Sequence, residues 1–421
     1  PTRRLAAELG VSRGVVVEAY QQLVAEGYLT SRSGGYTEVA ATPAQQPAMP
    51  ERPVAPEPAA DFGYGRYDVS NFPRTAWLRS IRRACAAAPN ERFGYLTGRG
   101  TPELREALTD YLNRVRGTAA TPDTVLICTG YAQGIALIVQ VLAARSARRI
   151  AVEDPSADDD LRPLARAAGL DVVGVPVDDD GVRADLLAAV DADALVLTPS
   201  HQWPTGGVLT ARRRAEVLRW AAERGALVVE DDYDAEYRYD RSPVGAMQGL
   251  APDLVAYAGT ASKTLAPGLR LGWLVLPRAW VDDVAAAKLV ADRGSPVLDQ
   301  LAFADFLAHG ELDRHLRRMR PVYRRRRDVL LSELAARLPE LEPVGVSAGL
   351  HLVAWLPQEV DEAAVVAAAA QHGVRVNGVT PYRLSPAARG GLIFGYSALN
   401  ERAIIAGVAR LHAAFAAFRQ N

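Results

Sequence analysis

Apolar and polar positions divide the 421-residue chain into three stretches with different periods. Residues 1–40 carry apolar positions at helical spacing, Leu5, Leu9, Val11, Val16, Ala19 and Leu23, followed by the alternating run Tyr36-Thr37-Glu38-Val39. That pattern predicts two short helices packed through those apolar positions, then a β-ribbon. Residues 41–60 are rich in proline and alanine and have no period, which predicts a semi-rigid linker. From Asp61 onward, near-continuous apolar runs alternate with alanine- and leucine-rich helical patterns. The runs are Val125-Leu126-Ile127-Cys128, Ile150-Ala151-Val152, Ala194-Leu195-Val196-Leu197, Leu227-Val228-Val229 and Leu271-Gly272-Trp273-Leu274-Val275. Such runs suit strands buried on both faces of a mostly parallel sheet, so residues 61–421 are expected to form an α/β layered domain. A long basic helical stretch, Leu312–Leu338, contains Pro321, which is expected to kink or split it. Beyond it the elements shorten, dividing the domain into a large part over about 90–300 and a smaller α+β part over about 301–421.

Composition narrows the setting. An apolar content of 49% fits a soluble globular protein, and the alanine-rich run Ala363–Ala370 is too short to span a bilayer. Cys85 and Cys128 support no disulfide framework and no signal peptide is visible, so the expected compartment is the cytoplasm, with no membrane partner. A net charge of -1 gives no global push toward nucleic acid. The chain opens at Pro1 rather than Met, from which a missing N-terminal piece is expected. Lysine is nearly absent: of 48 Lys and Arg residues only Lys263 and Lys288 are lysine. Arginine cannot be deprotonated in a protein whereas a desolvated lysine can, so a retained lysine is a candidate for amine chemistry such as a Schiff base. Lys263 sits in Gly259-Thr260-Ala261-Ser262-Lys263-Thr264, with Arg270 seven residues on. Lys288 lies in a plain amphipathic stretch and is expected at the surface. Compositional drift with two chance survivors is the alternative.

The run Arg3-Arg4-Leu5-Ala6-Ala7-Glu8-Leu9-Gly10-Val11-Ser12-Arg13 has the spacing of a helix, a glycine turn and a second helix capped by Ser12. Ser12, Arg13 and Gly14 would lie at the exposed start of the second helix, where a reader enters the major groove of double-stranded DNA. Ser33-Gly34-Gly35 would turn a hairpin, or wing. This unit resembles the winged helix-turn-helix of GntR-type regulators, without its first helix. The resemblance implies DNA contact by Arg3, Ser12 and Arg13 and a wing turn at Gly35. With four Arg and four Glu in residues 1–40 the electrostatic footprint is weak, and a small protein-docking module is the other reading.

Four segments of the larger domain are expected to converge on one pyridoxal phosphate. Thr129-Gly130-Tyr131-Ala132-Gln133-Gly134 follows a strand and opens a helix, a natural anion site. Glu230-Asp231-Asp232-Tyr233 ends a buried strand; a carboxylate facing a pyridine nitrogen keeps it protonated and makes the ring an electron sink. A solvated acidic loop is the alternative there, and no metal is expected, since no His or Cys at ligand spacing accompanies the acids. His201 and Gln202, in a polar loop after another strand, are placed to bond the ring oxygen. Thr260, Ser262 and Arg270 supply hydroxyls and a guanidinium fork suited to a phosphate dianion, beside Lys263.

Together with Arg314–Arg320 and Gly349-Leu350-His351, these runs resemble the MocR-type regulators, in which a GntR-like reader is fused to a fold-type-I aminotransferase-like domain. The resemblance implies that Lys263 carries the cofactor's aldehyde as an internal aldimine, Asp231 faces the ring nitrogen and Tyr233 the phenolic oxygen. Tyr131, Ala132, Thr260, Ser262 and Arg270 would form the phosphate cup, and Tyr95 would be lent to the other subunit of a homodimer. Two departures stand out. Ser156-Ala157 replaces the usual Gly-Tyr after Glu153-Asp154-Pro155, so the ring's stacking partner is missing or comes from elsewhere. The run Leu392-Ile393-Phe394 lacks the arginine that commonly binds a substrate carboxylate; the nearest are Arg383 and Arg389. The expected function is a DNA-binding transcriptional regulator sensing an amine or amino-acid effector through Lys263. A working aminotransferase, and a sensor that has lost its cofactor, are the alternatives.

Overall fold

A computed structural model describes residues 2–31, 36–40, 57–156, 161–239, 245–345, 348–386 and 389–420, the last three by backbone alone. The chain separates into two compact units, Pro1–Pro56 and Glu57–Asn421.

In the first unit, helices Thr2–Leu9 and Arg13–Ala25 are joined through Gly10 at φ +67°, a left-handed conformation that glycine adopts without steric cost. Ser12 caps the second helix by accepting a hydrogen bond from the Val15 amide at 3.4 Å. Leu29–Ser31 and Thr37–Val39 pair antiparallel, with Thr30 opposite Glu38. The apolar interface is smaller than the sequence pattern implies. Ala6 and Val16 are buried and Leu5 is half-buried, but Leu9, Val11, Ala19 and Leu23 are exposed. Two short helices and a two-stranded ribbon enclose only the side chains at the helix crossing. Gly34 and Gly35 lie outside the described residues.

The second unit is built on an eight-stranded sheet. Its strands run in the order Val125–Cys128, Gly272–Val275, Val255–Thr260, Leu227–Asp232, Ala194–Leu197, Arg149–Asp154, Asp171–Asp178 and Gly181–Val182. Gly272–Val275 is antiparallel to both neighbours and Gly181–Val182 is antiparallel to the strand beside it; the remaining pairs are parallel. The apolar runs are continuous because both faces are covered. Val229 and Val152 pack on the side of helices Tyr131–Ala144 and Val281–Asp292, whereas Val228 and Ala151 join Val217 and Trp220 of helix Ala211–Arg224 on the other. Each fully buried Val or Leu in these layers contributes about 1.5–3 kcal/mol.

A second, four-stranded antiparallel sheet orders Glu342–Val344, His351–Trp355, Gly391–Gly395 and Asn377–Gly378. Helices Glu362–Gln371 and Glu401–Gln420 accompany it. The basic stretch forms one helix, Glu311–Arg337, with Pro321 inside it, so the expected split does not occur. Burial of Leu316, Met319, Tyr323 and Arg326 on both sides of Pro321 holds the helix together across the missing amide. Its arginines are dispersed: Arg326 pairs with Asp68 and Ser397, Arg320 donates to the Glu236 carbonyl, and Arg314 pairs with Glu311. No helix among the described residues is long and apolar enough to cross a membrane.

Candidate functional site

The carboxyl ends of the parallel strands open onto a cavity of about 220 Å³ lined by Tyr64, Tyr131, Ala132, Trp203, Asp231, Tyr233, Thr260, Ser262, Lys263 and Arg270. Ligands of open α/β sheets bind at such strand ends. Sheet register does the assembling. Ala258 pairs with Asp231 and Gly259 with Asp232, while Gly272 pairs with both Thr260 and Cys128, so four strands deliver their terminal residues together.

Strand parity sorts the acids of Glu230-Asp231-Asp232. Glu230 and Asp232 share one face: Glu230 accepts from the Met247 and Gln248 amides at 3.0 Å each, and Asp232 accepts through Oδ2 from Arg116 and Tyr257 at 2.7 Å each, while its Oδ1 is buried without a hydrogen-bond partner. Asp231 takes the other face and lines the cavity, and its Oδ1 is buried without a hydrogen-bond partner. Burial pushes the Asp231 carboxyl well above the usual carboxylate range, against the opposing pull of Lys263. Lys263 Nζ lies 4.1 Å from the Tyr67 ring centroid and 5.8 Å from that of Tyr64.

The anion cradle forms where helix Tyr131–Ala144 begins. Gly130, at φ +89°, precedes the helix and no side chain caps it, so the positive end of the helix dipole meets the cavity at Tyr131 and Ala132. A Cβ on Gly272 would lie 2.7 Å from Gly130 Cα, so close backbone approach requires that glycine, whereas Gly130 is required by its left-handed φ, and a Cβ there would lie 3.0 Å from the Arg270 guanidinium. Arg270 donates to the Thr129 carbonyl at 2.6 Å, and Thr260 Oγ1 donates to Ser262 Oγ at 2.9 Å.

Of the residues expected at this site, Tyr131, Ala132, Asp231, Tyr233, Thr260, Ser262, Lys263 and Arg270 line the cavity. His201 and Gln202 do not. The Gln202 amide is consumed by Thr205, from which it accepts, and by the carbonyls of Trp203 and, just past strand Arg149–Asp154, Pro155, to which it donates. His201 sits behind Tyr233, whose hydroxyl donates to the His201 carbonyl at 3.0 Å, and its Nδ1 is 2.9 Å from Asp234. Tyr95 is 95% exposed and away from the cavity. In the reader, Arg3 and Arg13 are exposed and Ser12 serves as the helix cap, while Gly35 lies outside the described residues.

Lys288 corrects the sequence expectation outright. It is 0% exposed, and its ammonium donates to Gln133 at 3.0 Å, Asp292 at 2.6 Å and Ser295 at 3.0 Å. Its helix has little amphipathic contrast, so spacing could not reveal which face is covered. Spacing also missed a cluster. His201, Asp234 and His351, far apart in sequence, bring possible metal-ligating atoms within 4.8 Å of one another. Within the cluster His201 Nδ1 is 2.9 Å from Asp234, and His351 Nε2 reaches the Pro204 carbonyl at 3.1 Å while its Nδ1 is buried without a hydrogen-bond partner. Tyr64 and Trp203 were missed as cavity walls, although Gly63-Tyr64-Gly65-Arg66-Tyr67 is an aromatic pair in a glycine-rich loop.

Comparison with known proteins agrees with this geometry. Residues 58–397 match the aminotransferase class I and II family, and residues 1–39 match the bacterial regulatory proteins of the gntR family. The pyridoxine biosynthesis transcriptional regulator PdxR of Corynebacterium glutamicum is 32% identical, over 95% of this chain and 87% of its own. The probable rhizopine catabolism regulatory protein MocR of Rhizobium meliloti is 31% identical, over 100% of this chain and 90% of its own. Among solved structures, the alpha-aminoadipate aminotransferase LysN of Thermus thermophilus superposes with a TM-score of 0.77 at 25% identity, covering 86% of this chain and 93% of that one. With a gntR-type reader ahead of an aminotransferase class I and II domain, and regulators alike along nearly the whole length, the chain belongs to the MocR-type branch of the GntR family of transcriptional regulators.

Proposed function

We propose that this protein is a cytoplasmic, homodimeric DNA-binding regulator whose aminotransferase-like domain holds pyridoxal phosphate at the cavity and senses an amine or amino-acid effector there. One observation carries the reading: the lone cavity lysine, Lys263, opens onto the same space as the buried Asp231 carboxyl, whose Oδ1 has no hydrogen-bond partner, and an uncapped helix start flanked by Arg270. The residues fit the group. Arg270, Thr260, Ser262 and the backbone at Tyr131 and Ala132 would hold the phosphate, and Asp231 would hold a proton on the ring nitrogen. Tyr233 would meet the phenolic oxygen, with His201 orienting it from behind, and Tyr64, Tyr131 and Trp203 offer the aromatic walls that Ser156 does not. Tyr95, exposed in one subunit, is free to reach a partner's phosphate. Once bound, the cofactor would supply an aldehyde that exchanges its imine link between Lys263 and an incoming amine.

Sensing is favoured over turnover by the arginines near the second sheet. Arg389 is spent on Glu342 and the Leu356 carbonyl, and Arg383 lies over Trp355; neither lines the cavity. Steady conversion of an amino acid and a keto acid by the purified protein would overturn that preference in favour of the aminotransferase. DNA reading rests on Arg3, Ser12 and Arg13, with the wing at Gly35. Footprinting on DNA flanking the protein's own gene should show protection. Arg13→Ala should weaken binding about 5- to 150-fold, the scale of one lost base-edge contact. Absence of protection at moderate salt would sink the regulator reading.

Asp231 gives a test with a defined sign. Its folded-state pKa is raised by burial, so its contribution favours the apo fold at low pH and is lost as pH rises from the unfolded carboxylate value through the folded one. Asp231→Asn should therefore raise the apo melting temperature at neutral pH and flatten its fall with pH. The same change should weaken pyridoxal phosphate binding by about 10- to 100-fold through loss of a charge-assisted hydrogen bond. An unchanged affinity would remove Asp231 from the ring-nitrogen role.

A further inference from the structure

Lys288 is the second of only two lysines in a chain that otherwise writes its cations as arginine, and it is wholly buried. Its three ammonium protons meet three acceptors, Gln133 Oε1, Asp292 Oδ2 and Ser295 Oγ. Gln133 lies in the first turn of the helix that opens at the anion cradle. Its Oε1 also accepts from the Thr129 amide at 2.8 Å, and its Nε2 donates to Asp292 at 2.7 Å. The backbone of Thr129 is thus held at both of its peptide groups: its N–H by the Gln133 carbonyl that Lys288 holds, its C=O by Arg270, itself on the cavity wall. Asp292 is fastened in turn by the Gly294 amide at 2.8 Å.

We propose that Lys288 is a positioning residue for the phosphate-binding turn Thr129–Gly130, so that one lysine of this chain is the reacting amine and the other sets the anion cradle. The inference rests on the cofactor reading above. A compact ammonium with three tetrahedral donors suits three acceptors converging from a helix, a loop and a facing side chain; a planar guanidinium of larger girth does not. That is a physical reason for lysine to persist here when nearly every other cation is arginine. With Lys288 removed, Gln133 loses its orientation, the Thr129 amide loses its acceptor, and the turn no longer presents its dipole squarely to a dianion.

The test compares pyridoxal phosphate with phosphate-free pyridoxal, titrated by absorbance into wild type, Lys288→Met, Lys288→Arg and Gln133→Leu, alongside apo melting curves. Wild type should prefer the phosphorylated form, and that preference should fall about tenfold in Lys288→Met and Gln133→Leu, the scale of one hydrogen bond to a charged group. Pyridoxal affinity should stay unchanged, and arginine should not restore the preference. A purely structural lysine would lower the melting temperature and weaken both ligands together. An unaltered preference in Lys288→Met therefore overturns the inference, as does full recovery in Lys288→Arg. Should Lys288→Met fail to fold, Gln133→Leu carries the same comparison, since it leaves the Lys288–Asp292 pair in place. Wild type that binds neither compound overturns the cofactor reading itself, a result distinct from wild type that binds both.

Discussion

Lys263→Ala should abolish the visible absorbance that wild-type protein acquires with pyridoxal phosphate, while leaving weaker, non-covalent binding. The alanine variant retains Arg270, Thr260, Ser262 and the helix start, so the phosphate cradle survives; what it loses is the amine beside Asp231. Lys263→Arg should be equally colourless, because a guanidinium stays protonated and cannot act as the nucleophile. Reduction with borohydride followed by peptide mass mapping adds a positional test. The cofactor mass should appear on the peptide holding Lys263 and never on that holding Lys288, whose ammonium is buried with three acceptors. A band that persists in Lys263→Ala, or label on Lys288, would refute the assignment.

Arg116→Met should destabilise the larger unit by roughly 3–5 kcal/mol, the cost of leaving a buried charge without its partner. Arg116, 5% exposed, ends helix Pro102–Arg116; its guanidinium donates to Asp232 at 2.7 Å and to Ser200 at 2.9 Å. It thereby ties a helix, a central strand and the loop after another strand around a group of buried acids. Burial, reinforced by the charge of Asp232, raises Glu230 and Glu236 to about 7, with Arg116 opposing the rise at Glu236. Without the arginine this acid cluster has lost its nearest compensating charge. The denaturant midpoint should drop at neutral pH, and the deficit should shrink as pH falls below 7, because acids protonated in the folded state no longer need the cation. Arg116→Met with Asp232→Asn should recover more than half the loss. A single variant within error of wild type would show that the pair is solvated in solution.

Much of this was legible along the chain, and the parts that were not share a cause. The continuous runs at Val228-Val229 and Leu195-Val196 announced strands covered on both faces, because in a two-sided sheet each successive side chain meets a core. Ser12 and Gly10 marked a helix start and its turn, since capping and left-handed backbone are local demands. Gln202, expected to bond the ring oxygen, is absent from the cavity lining: Thr205 and Trp203 claim its amide, and no pattern along the sequence reports which loop atoms compete for it. Leu9, Val11, Ala19 and Leu23 have helical spacing yet remain exposed, because spacing marks a face and not what lies against it.

By itself the sequence determined the elements, the two-unit composition and the motif around Lys263, which follow from period, propensity and short-range spacing, while the family came from the resemblance of its motifs to known regulators. Only the tertiary structure decided that Asp231 Oδ1 is buried at the cavity without a hydrogen-bond partner, that Tyr64 and Trp203 wall it, and that Lys288 stands behind the anion cradle instead of in water. Those outcomes depend on sheet register and on helices brought together from positions more than a hundred residues apart, such as Gln133 and Lys288. Local preference carries no information about which distant side chains will satisfy a buried charge, whereas close packing fixes which acceptors it meets.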